Sequence, residues 1–329
     1  MRALKIIYWA VGLGLLALVL TEVDTAAVAR HVAHIGWAGL GVVLGIHFLS
    51  FMVDTVVWQL TLLVPLTPRW LARSWAVKMI GEVFNAVIPA GGMGGEPLKA
   101  SLLKDRHGIA YRDSMASIIL RKTINMGALV VFLMLGFVVV LRSGDLPAGY
   151  KTVAALGLAA FALGGVLFFA IQRWRVTSLT GTWLARWPVA RRIEAVLHHV
   201  HDMEGRLIAF YTGHRGRLWL ALVLSLGSWF LGVAEVYAAM GFLGHPVGWG
   251  DAWIIETLAQ LVRAGAFFIP AAIGAQEGTF LLVVSAITGS ADLGLAAGVV
   301  RRLREIVWLV WGVAVGGWLS LKGRKLPVQ

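Results

Sequence analysis

The stretch Asn85-Ala-Val-Ile-Pro-Ala-Gly-Gly-Met-Gly-Gly-Glu-Pro97 places two prolines and four glycines inside a long apolar region. Proline lacks the amide hydrogen that a helix interior uses, and glycine destabilises a helix interior. A membrane helix is therefore not expected to continue through this point. The stretch instead predicts two half-helices, at 75–88 and 96–103, joined by a bend at 89–95.

Three features of this region recur 181 residues later in the chain. Ile88-Pro89-Ala90 returns as Ile269-Pro270-Ala271, Glu96 returns as Glu277, and Arg121 returns as Arg302. Matched interruptions in the two halves of a membrane protein are the best sequence indication of a transporter's binding site. The spacing predicts a repeat with halves at about 36–141 and 218–321; chance similarity between two apolar stretches is the alternative.

The composition excludes an ordinary soluble domain, because 59% of the residues are apolar, 14% are charged and the mean hydropathy is +0.79. A net charge of +12 on so apolar a chain indicates basic cytoplasmic loops and contact with anionic lipids, and not nucleic-acid binding. The chain has no cysteine, which excludes disulfides and thiolate metal sites. We therefore expect an integral membrane protein.

Hydropathy and the positions of the prolines predict one all-α transmembrane domain over 1–329, a polytopic membrane protein with six spans. The two interrupted segments are better explained as re-entrant hairpins, which enter and leave the bilayer on one face, than as full crossings. Between the halves, apolar residues at three-to-four spacing predict an amphipathic linker on the cytoplasmic surface at 173–217. The predicted spans are 4–20, 37–64, 115–141, 152–172, 218–243 and 293–321, and the hairpins are 75–103 and 251–287.

The distribution of basic residues predicts the orientation in the membrane. With a cytoplasmic N-terminus, this layout puts twenty Lys and Arg residues on cytoplasmic segments and three, Arg30, Arg142 and Lys151, on external loops. The other six lie in membrane segments. The first hairpin then opens to the cytoplasm and the second to the outside, so the repeat is predicted to be inverted, with both termini cytoplasmic.

Labelling of introduced cysteines tests this layout, since the chain has none of its own. Cysteines at Asp145 and Gly244 are expected to react with an impermeant reagent added outside intact cells. A cysteine at Gly213 is expected to stay unlabelled until the membrane is permeabilised. Labelling of position 213 in intact cells would contradict the predicted orientation.

Charged residues inside the predicted membrane segments are the first candidates for function, because a charge at the bilayer centre costs from about 3 to more than 10 kcal/mol. Arg121 and Arg302 are expected to contact substrate. Guanidinium groups bind phosphate in a bidentate manner, and the half-helices would aim their positive N-terminal ends at the membrane centre. This pattern favours an anionic ligand. An excess of positive charge over the nearby acids is expected from Lys122, Arg263, Arg301 and Arg304.

The bends and their glutamates are also predicted to belong to the substrate site, because backbone that leaves a helix inside the bilayer must line protein or a watery cavity. Two roles stay open for Glu96 and Glu277: they can bind substrate, or they can cap the following half-helices and pair with Arg121 and Arg302. His47 is interpreted as a packed, hydrogen-bonded histidine. The bend residues are Pro89, Gly91, Gly92, Gly94, Gly95 and Pro270, and the secondary candidates for cation pairing or proton coupling are Asp54, Glu82, Glu235, Glu256 and Glu305.

The sequence does not predict an enzyme. The glycine-rich stretch at 91–95 lacks the Lys-Ser/Thr of a nucleotide-binding loop, and no spacing of His, Asp and Glu makes a convincing metal site. No cofactor is therefore expected.

The motif Ile-Pro-Ala-Gly-Gly-Met-Gly-Gly-Glu at 88–96, with the later Arg121 and a second copy ending in Gly-Ala-Gln-Glu277, resembles the flippase-like transmembrane domain of lysylphosphatidylglycerol synthases. It also resembles stand-alone relatives of that domain, some of them associated with hopanoid lipid biosynthesis. The resemblance covers about residues 5–320 and implies a bacterial inner-membrane protein that binds or translocates polar lipids. The synthases add a soluble aminoacyl-transfer domain, which is not expected after Gln329, so aminoacyl-lipid synthesis is not expected either.

We interpret the chain as a lipid transporter whose hairpin tips and embedded arginines line a central cavity for an anionic or polar lipid headgroup. Its expected partners are a membrane phospholipid or another polar lipid, with a second copy of the chain or a lipid-biosynthesis enzyme as possible protein partners. Two alternatives stay open. The protein could be a non-transporting accessory protein of lipid biosynthesis, or a secondary transporter of a small solute.

Overall fold

The computed structural model describes residues 25–87, 93–144, 147–173, 210, 212–266 and 269–322. In these residues the chain forms α-helices and one 3₁₀ turn, with no β-strand. The expected all-α class is therefore confirmed. The helices are α1 (Thr25–His34), α2 (Gly36–Leu62), α3 (Pro68–Val87), α4 (Glu96–His107), α5 (Tyr111–Arg142), α6 (Ala148–Arg173), α7 (Arg215–Phe242), α8 (Trp249–Gly265), the 3₁₀ turn Pro270–Ala272, α9 (Ala275–Thr288) and α10 (Ala291–Lys322).

Four of the described helices, α2, α5, α6 and α7, are long and apolar enough to cross a bilayer. A helix rises 1.5 Å per residue, so the 27 residues of α2 reach about 40 Å, well beyond a hydrocarbon core of about 30 Å. Helix α10 has 32 residues but carries four charges at 301–305, which interrupt its apolar run. The predicted span at 4–20 and nearly all of the predicted linker at 173–217 lie outside the described residues. The protein is an all-α polytopic membrane protein.

The described helices follow the repeat that the sequence predicts. Shifted by 181 residues, the bounds of α2, α3, α4 and α5 fall within a few residues of those of α7, α8, α9 and α10. Contacts between helices follow the same shift: α4 packs on α5 as α9 packs on α10, and α3 packs on α10 as α8 packs on α5. The opposite orientation of the two halves across the membrane stays a prediction.

Helices α2 and α7, one from each half, pack along each other more extensively than any other described pair. Small residues permit this close approach, as is common between membrane helices. A Cβ on Gly39 would lie 2.8 Å from the side chain of Phe242, and the hydroxyls of Ser50 and Ser228 are 2.8 Å apart. The joint between the halves is therefore partly polar.

Both predicted interruptions break the helix. Helix α3 ends at Val87 and α4 begins at Glu96, while α8 ends at Gly265 and α9 begins at Ala275. In each case the chain turns back and the two arms pack against each other. The first arm begins earlier than predicted, at Pro68, because proline suits the first turn of a helix. Whether the hairpins are re-entrant stays a prediction.

The second bend is described in part, and its backbone is unusual. Ala271 and Ala272 have φ angles of 51° and 50°, in the left-handed region that residues with a Cβ seldom adopt. Such strain persists only where the surroundings hold it, and it concentrates at functional sites. The turn Pro270–Ala272 packs against α3, which brings this bend to the arm of the other hairpin. The tip of the first bend, 88–92, lies outside the described residues.

Candidate functional site

A cavity of about 690 Å³ lies between the two halves, and helices from both of them line it. One part of its wall is apolar, with Phe51, Trp229 and Trp308. The remainder is densely charged, which a membrane protein tolerates only where the charges pair or meet water. The charged lining residues are Asp54, Lys78, Glu82, Arg121, Lys122, Glu235, Glu256, Arg263, Arg301, Arg302, Arg304 and Glu305.

In the first half, the carboxylate of Asp54 joins two cations. Its Oδ2 accepts from Nη1 of Arg121 at 2.6 Å and lies 2.5 Å from Nζ of Lys78. Lys78 is 2% exposed, and its Nζ also donates to the carbonyl oxygen of Phe51 at 3.1 Å. The predicted partner of Arg121 was Glu96, but Glu96 lies 4.0 Å from the guanidinium. Asp54, a secondary candidate from the sequence, is therefore the closer partner of this arginine.

Glu96 is buried behind the cavity wall and pairs with lysines. Its Oε1 lies 3.0 Å from Nζ of Lys122, and its Oε2 lies 3.3 Å from Nζ of Lys99. Lys99 is 1% exposed and also donates to Glu82 at 2.8 Å. A buried cation of this kind needs such partners, because an uncompensated charge away from water is costly.

The start of α4 is capped by Asn85 from the opposite arm of the hairpin. The amide nitrogen of Gly95 donates to Asn85 Oδ1 at 2.7 Å, and Asn85 Nδ2 donates to both Glu82 and Glu96 at 3.3 Å. Glu96 therefore does not cap α4; its carboxylate accepts a hydrogen bond from Asn85. Asn85 thereby fixes the distance between the two arms.

In the second half, Glu277 both caps a helix and pairs with an arginine, which is one of the two roles that the sequence left open. Its Oε2 accepts from the amide nitrogen of Gly274 at 2.8 Å, which caps α9. Its Oε1 accepts from Nε of Arg302 at 2.7 Å and lies 2.5 Å from Nη2. Arg302 Nη1 donates to the carbonyl oxygen of Ala271 at 3.1 Å. Arg302 thus binds both the carbonyl of the strained turn and the glutamate that caps α9.

Two further arginines of α10 bind acids on other helices. Arg301 makes a bidentate pair with Glu256 of α8, and Glu256 also accepts from Gln260 at 2.7 Å. Arg304 pairs with Glu235 of α7. All four charged side chains are buried. They anchor α10 to its neighbours in the same half.

Glu305 is shared by three guanidinium groups. Its Oε1 accepts from Nη1 of Arg263 at 3.1 Å and lies 3.6 Å from Nη2 of Arg304, while its Oε2 accepts from Nη1 of Arg302 at 2.7 Å. Arg263 also donates to Gln276 at 3.2 Å and is the most exposed of the three, at 42%. This cluster faces the cavity.

The expected excess of positive charge amounts to a single charge among the clustered residues that the structure describes. Around Arg121, four cations face Asp54, Glu82 and Glu96; around Arg302, four arginines face four glutamates. Asp54, Glu235 and Glu256 lie 67, 69 and 45 residues from the arginines that they bind, so proximity along the chain does not identify these pairs. The two clusters are close to neutral, which suits polar and zwitterionic groups as well as anions.

The repeat contains a further matched position, which sequence reasoning did not use. Asp54 and Glu235 are also 181 residues apart, and both line the cavity from the central helix pair α2 and α7. Their pairing differs between the halves. Arg121 binds Asp54, whereas Arg302 binds Glu277 and leaves Glu235 to Arg304.

The predicted site residues divide into four groups. Arg121, Arg263, Arg301 and Arg302 line the cavity, whereas Glu96 and Glu277 are buried behind it and pair with cations, and Glu277 also caps α9. Gly94 and Gly95 precede α4, and Pro270 opens the 3₁₀ turn. Pro89, Gly91 and Gly92 lie outside the described residues. Sequence reasoning missed Lys78, Asn85, Lys99, Gln260 and Gln276, whose positions on polar arms gave no periodic signal.

A charged cavity between matched halves of an apolar helical bundle defines the class: an integral membrane protein with an internal polar site. The chain belongs to the family described as the lysylphosphatidylglycerol synthase TM region, whose model matches residues 5–312. It is also 20% identical over 294 residues to a UPF0104 membrane protein of Methanothermobacter thermautotrophicus, covering 80% of this chain and 83% of that protein. No solved structure matches.

Proposed function

We propose that this protein moves a polar lipid across the cytoplasmic membrane of a bacterium by admitting the headgroup to the cavity between its halves. The observation that carries this proposal is one charged cavity lined by both copies of the repeated element. Its volume of about 690 Å³ lies within the range of about 300–1,000 Å³ typical of small-ligand sites. That volume suits a headgroup, while the acyl chains would stay in the bilayer.

The lining favours an amphipathic ligand over a simple ion. The rings of Phe51, Trp229 and Trp308 line the same cavity as the guanidinium and carboxylate groups, and the rings of Phe51 and Trp308 lie 5.0 Å apart. A headgroup with a phosphate and a neutral or cationic end can satisfy both kinds of charge. The site therefore accepts anionic and zwitterionic headgroups, and no catalytic step is proposed.

The different pairing in the two halves supports an exchange mechanism. Repeat-built transporters alternate access by moving one half against the other around a fixed site. In the alternate state, Arg121 would move from Asp54 to Glu96, which already lies 4.0 Å away. Arg302 would leave Glu277 and move towards Glu235, the counterpart of Asp54. Each half would then hold the pairing now seen in the other.

Reconstitution into vesicles tests this function. Purified protein is placed in vesicles that carry a fluorescent phosphatidylglycerol, and a membrane-impermeant quencher is added outside. Protein that moves lipid makes inner-leaflet fluorophores accessible to the quencher. Unchanged protection of the inner leaflet, with lipid still bound to the protein, would favour an accessory lipid-binding role. Solute flux without lipid movement would favour a small-solute transporter.

Replacing Arg302 with lysine is expected to slow lipid movement by about tenfold and to leave the protein folded. A lysine keeps the charge, but it cannot contact Glu277, Glu305 and the Ala271 carbonyl with one planar group. The vesicle assay measures the rate. Arg69→Lys, an exposed position in the first turn of α3, is the matched control and should keep the wild-type rate. Equal rates of lipid movement in the two variants would show that Arg302 does not take part in transport.

A further inference from the structure

Glu305 occupies a position that is unusual for a carboxylate of a substrate cavity. Three guanidinium groups lie 2.7–3.6 Å from its two oxygens. They belong to Arg263 of α8 and to Arg302 and Arg304 of α10. Two of these arginines also pair with an acid on another helix: Arg302 with Glu277, and Arg304 with Glu235. Glu305 is therefore the acid that they have in common.

Two buried hydrogen-bond donors lie on α10, one residue before Glu305 and three residues after it. Arg304 Nε and Trp308 Nε1 have no hydrogen-bond partner among the described residues, although both side chains are at least nine-tenths buried. Both residues line the cavity beside Glu305. Buried donors without partners are rare in native proteins and require an explanation, such as a ligand that is absent.

We propose that Arg263, Arg302 and Arg304 form a phosphate subsite, and that the carboxylate of Glu305 takes the place of the ligand when the cavity is empty. This inference deepens the proposed function, on which it rests, by naming the chemistry of the group that is bound. The ligand is a phosphate ester of a lipid headgroup or free phosphate. A phosphate offers more acceptor oxygens than a carboxylate, so it can accept from more N–H groups of the three arginines at once.

Competition from Glu305 makes this site suitable for transport. A phosphate that enters must displace the carboxylate, and the lost contacts of Glu305 offset part of the binding free energy. The headgroup is thus held without being trapped, since the carboxylate returns when the headgroup leaves. A site made of the three arginines alone would bind the anion more tightly and release it more slowly.

Binding measurements on the full chain in a detergent without phosphate test the subsite. The probes are dihexanoyl-phosphatidylglycerol and inorganic phosphate, and the readout is the dissociation constant by calorimetry. Glu305→Gln is expected to bind the lipid about tenfold more tightly than wild type, because the competitor has lost its charge. Arg263→Gln, which changes a partly exposed side chain, is expected to bind it about tenfold more weakly.

Glu82→Gln is the matched control. It removes one negative charge from the same cavity, but from a residue that pairs with Lys99 in the other half. If Glu82→Gln tightens binding as much as Glu305→Gln, the effect comes from net charge and the subsite is wrong. Equal dissociation constants for wild type, Glu305→Gln and Arg263→Gln would also overturn it.

The two probes distinguish the source of the phosphate. Tighter binding of the lipid alone in Glu305→Gln assigns the subsite to a headgroup, and tighter binding of inorganic phosphate alone assigns it to a free anion. These measurements do not depend on transport. If the predicted changes in binding occur but vesicles show no lipid movement, the subsite stands and the proposed transport function fails.

Discussion

Replacing Glu256 with leucine is expected to lower the free energy of unfolding by about 3–5 kcal/mol. The substitution introduces an apolar side chain of similar size, and it leaves the guanidinium of Arg301 buried without its bidentate partner. It also removes the acceptor of Gln260. Most of the loss therefore comes from an uncompensated charge and not from an empty volume.

The double variant Glu256→Leu/Arg301→Met separates these causes. Replacing both members of a buried pair with apolar residues is often neutral or stabilising, so the second change should recover most of the loss. Thermal unfolding in detergent, followed by tryptophan fluorescence, measures both variants. Asp105→Ala, at an exposed position on α4, is the control and should shift stability by no more than about 0.5 kcal/mol. A double variant as unstable as the single one would show that the pair is not the cause.

Gly95→Ala is expected to cost about 3 kcal/mol of stability and to disrupt the first hairpin. A Cβ at position 95 would lie 2.0 Å from the carbonyl oxygen of Gly81 in the opposite arm. Backbone atoms cannot turn aside as a flexible side chain can, so the two arms must separate. The separation would also break the cap that Asn85 gives to the amide of Gly95.

Gly127→Ala provides a comparison for this substitution. Gly127 lies inside α5, and a Cβ there would meet nothing within 4 Å. Alanine favours a helix over glycine by about 0.5–1 kcal/mol, so this variant should be as stable as wild type or slightly more so. The melting temperature and the yield of folded protein measure the stability of the two variants. Gly95→Ala with the stability of Gly127→Ala would mean that the arms are not in close contact.

Much of the architecture could be predicted from the sequence, because hydropathy and proline positions act locally. The two helix breaks, the matched helices of the halves and the pairing of Arg302 with Glu277 all follow from patterns along the chain. The partner of Arg121 could not be found in this way. Asp54 lies 67 residues away on another helix, and the sequence identified it only as one of several acids available to pair with a cation.

Burial of the lysines was the least predictable feature. Lys78 follows Arg69 and Arg73, and Lys99 precedes Lys104 and Arg106, so the sequence pattern alone places both lysines at the membrane surface. In the structure both are almost fully buried, because Asp54, Glu82 and Glu96 surround them. A lysine can be buried only where three-dimensional packing brings acids to it, and that packing joins segments distant in sequence.

The charges of α10 have a consequence for the biogenesis of the protein. Three arginines and a glutamate within 301–305 make this helix a poor substrate for independent insertion, since each arginine near the centre of a helix costs about 2.5–3.5 kcal/mol during transfer into the bilayer. The acids that neutralise those arginines lie on α7, α8 and α9, which the ribosome makes earlier. We therefore expect α10 to enter the membrane only against partners that are already in place, so that its insertion and its assembly with them occur together.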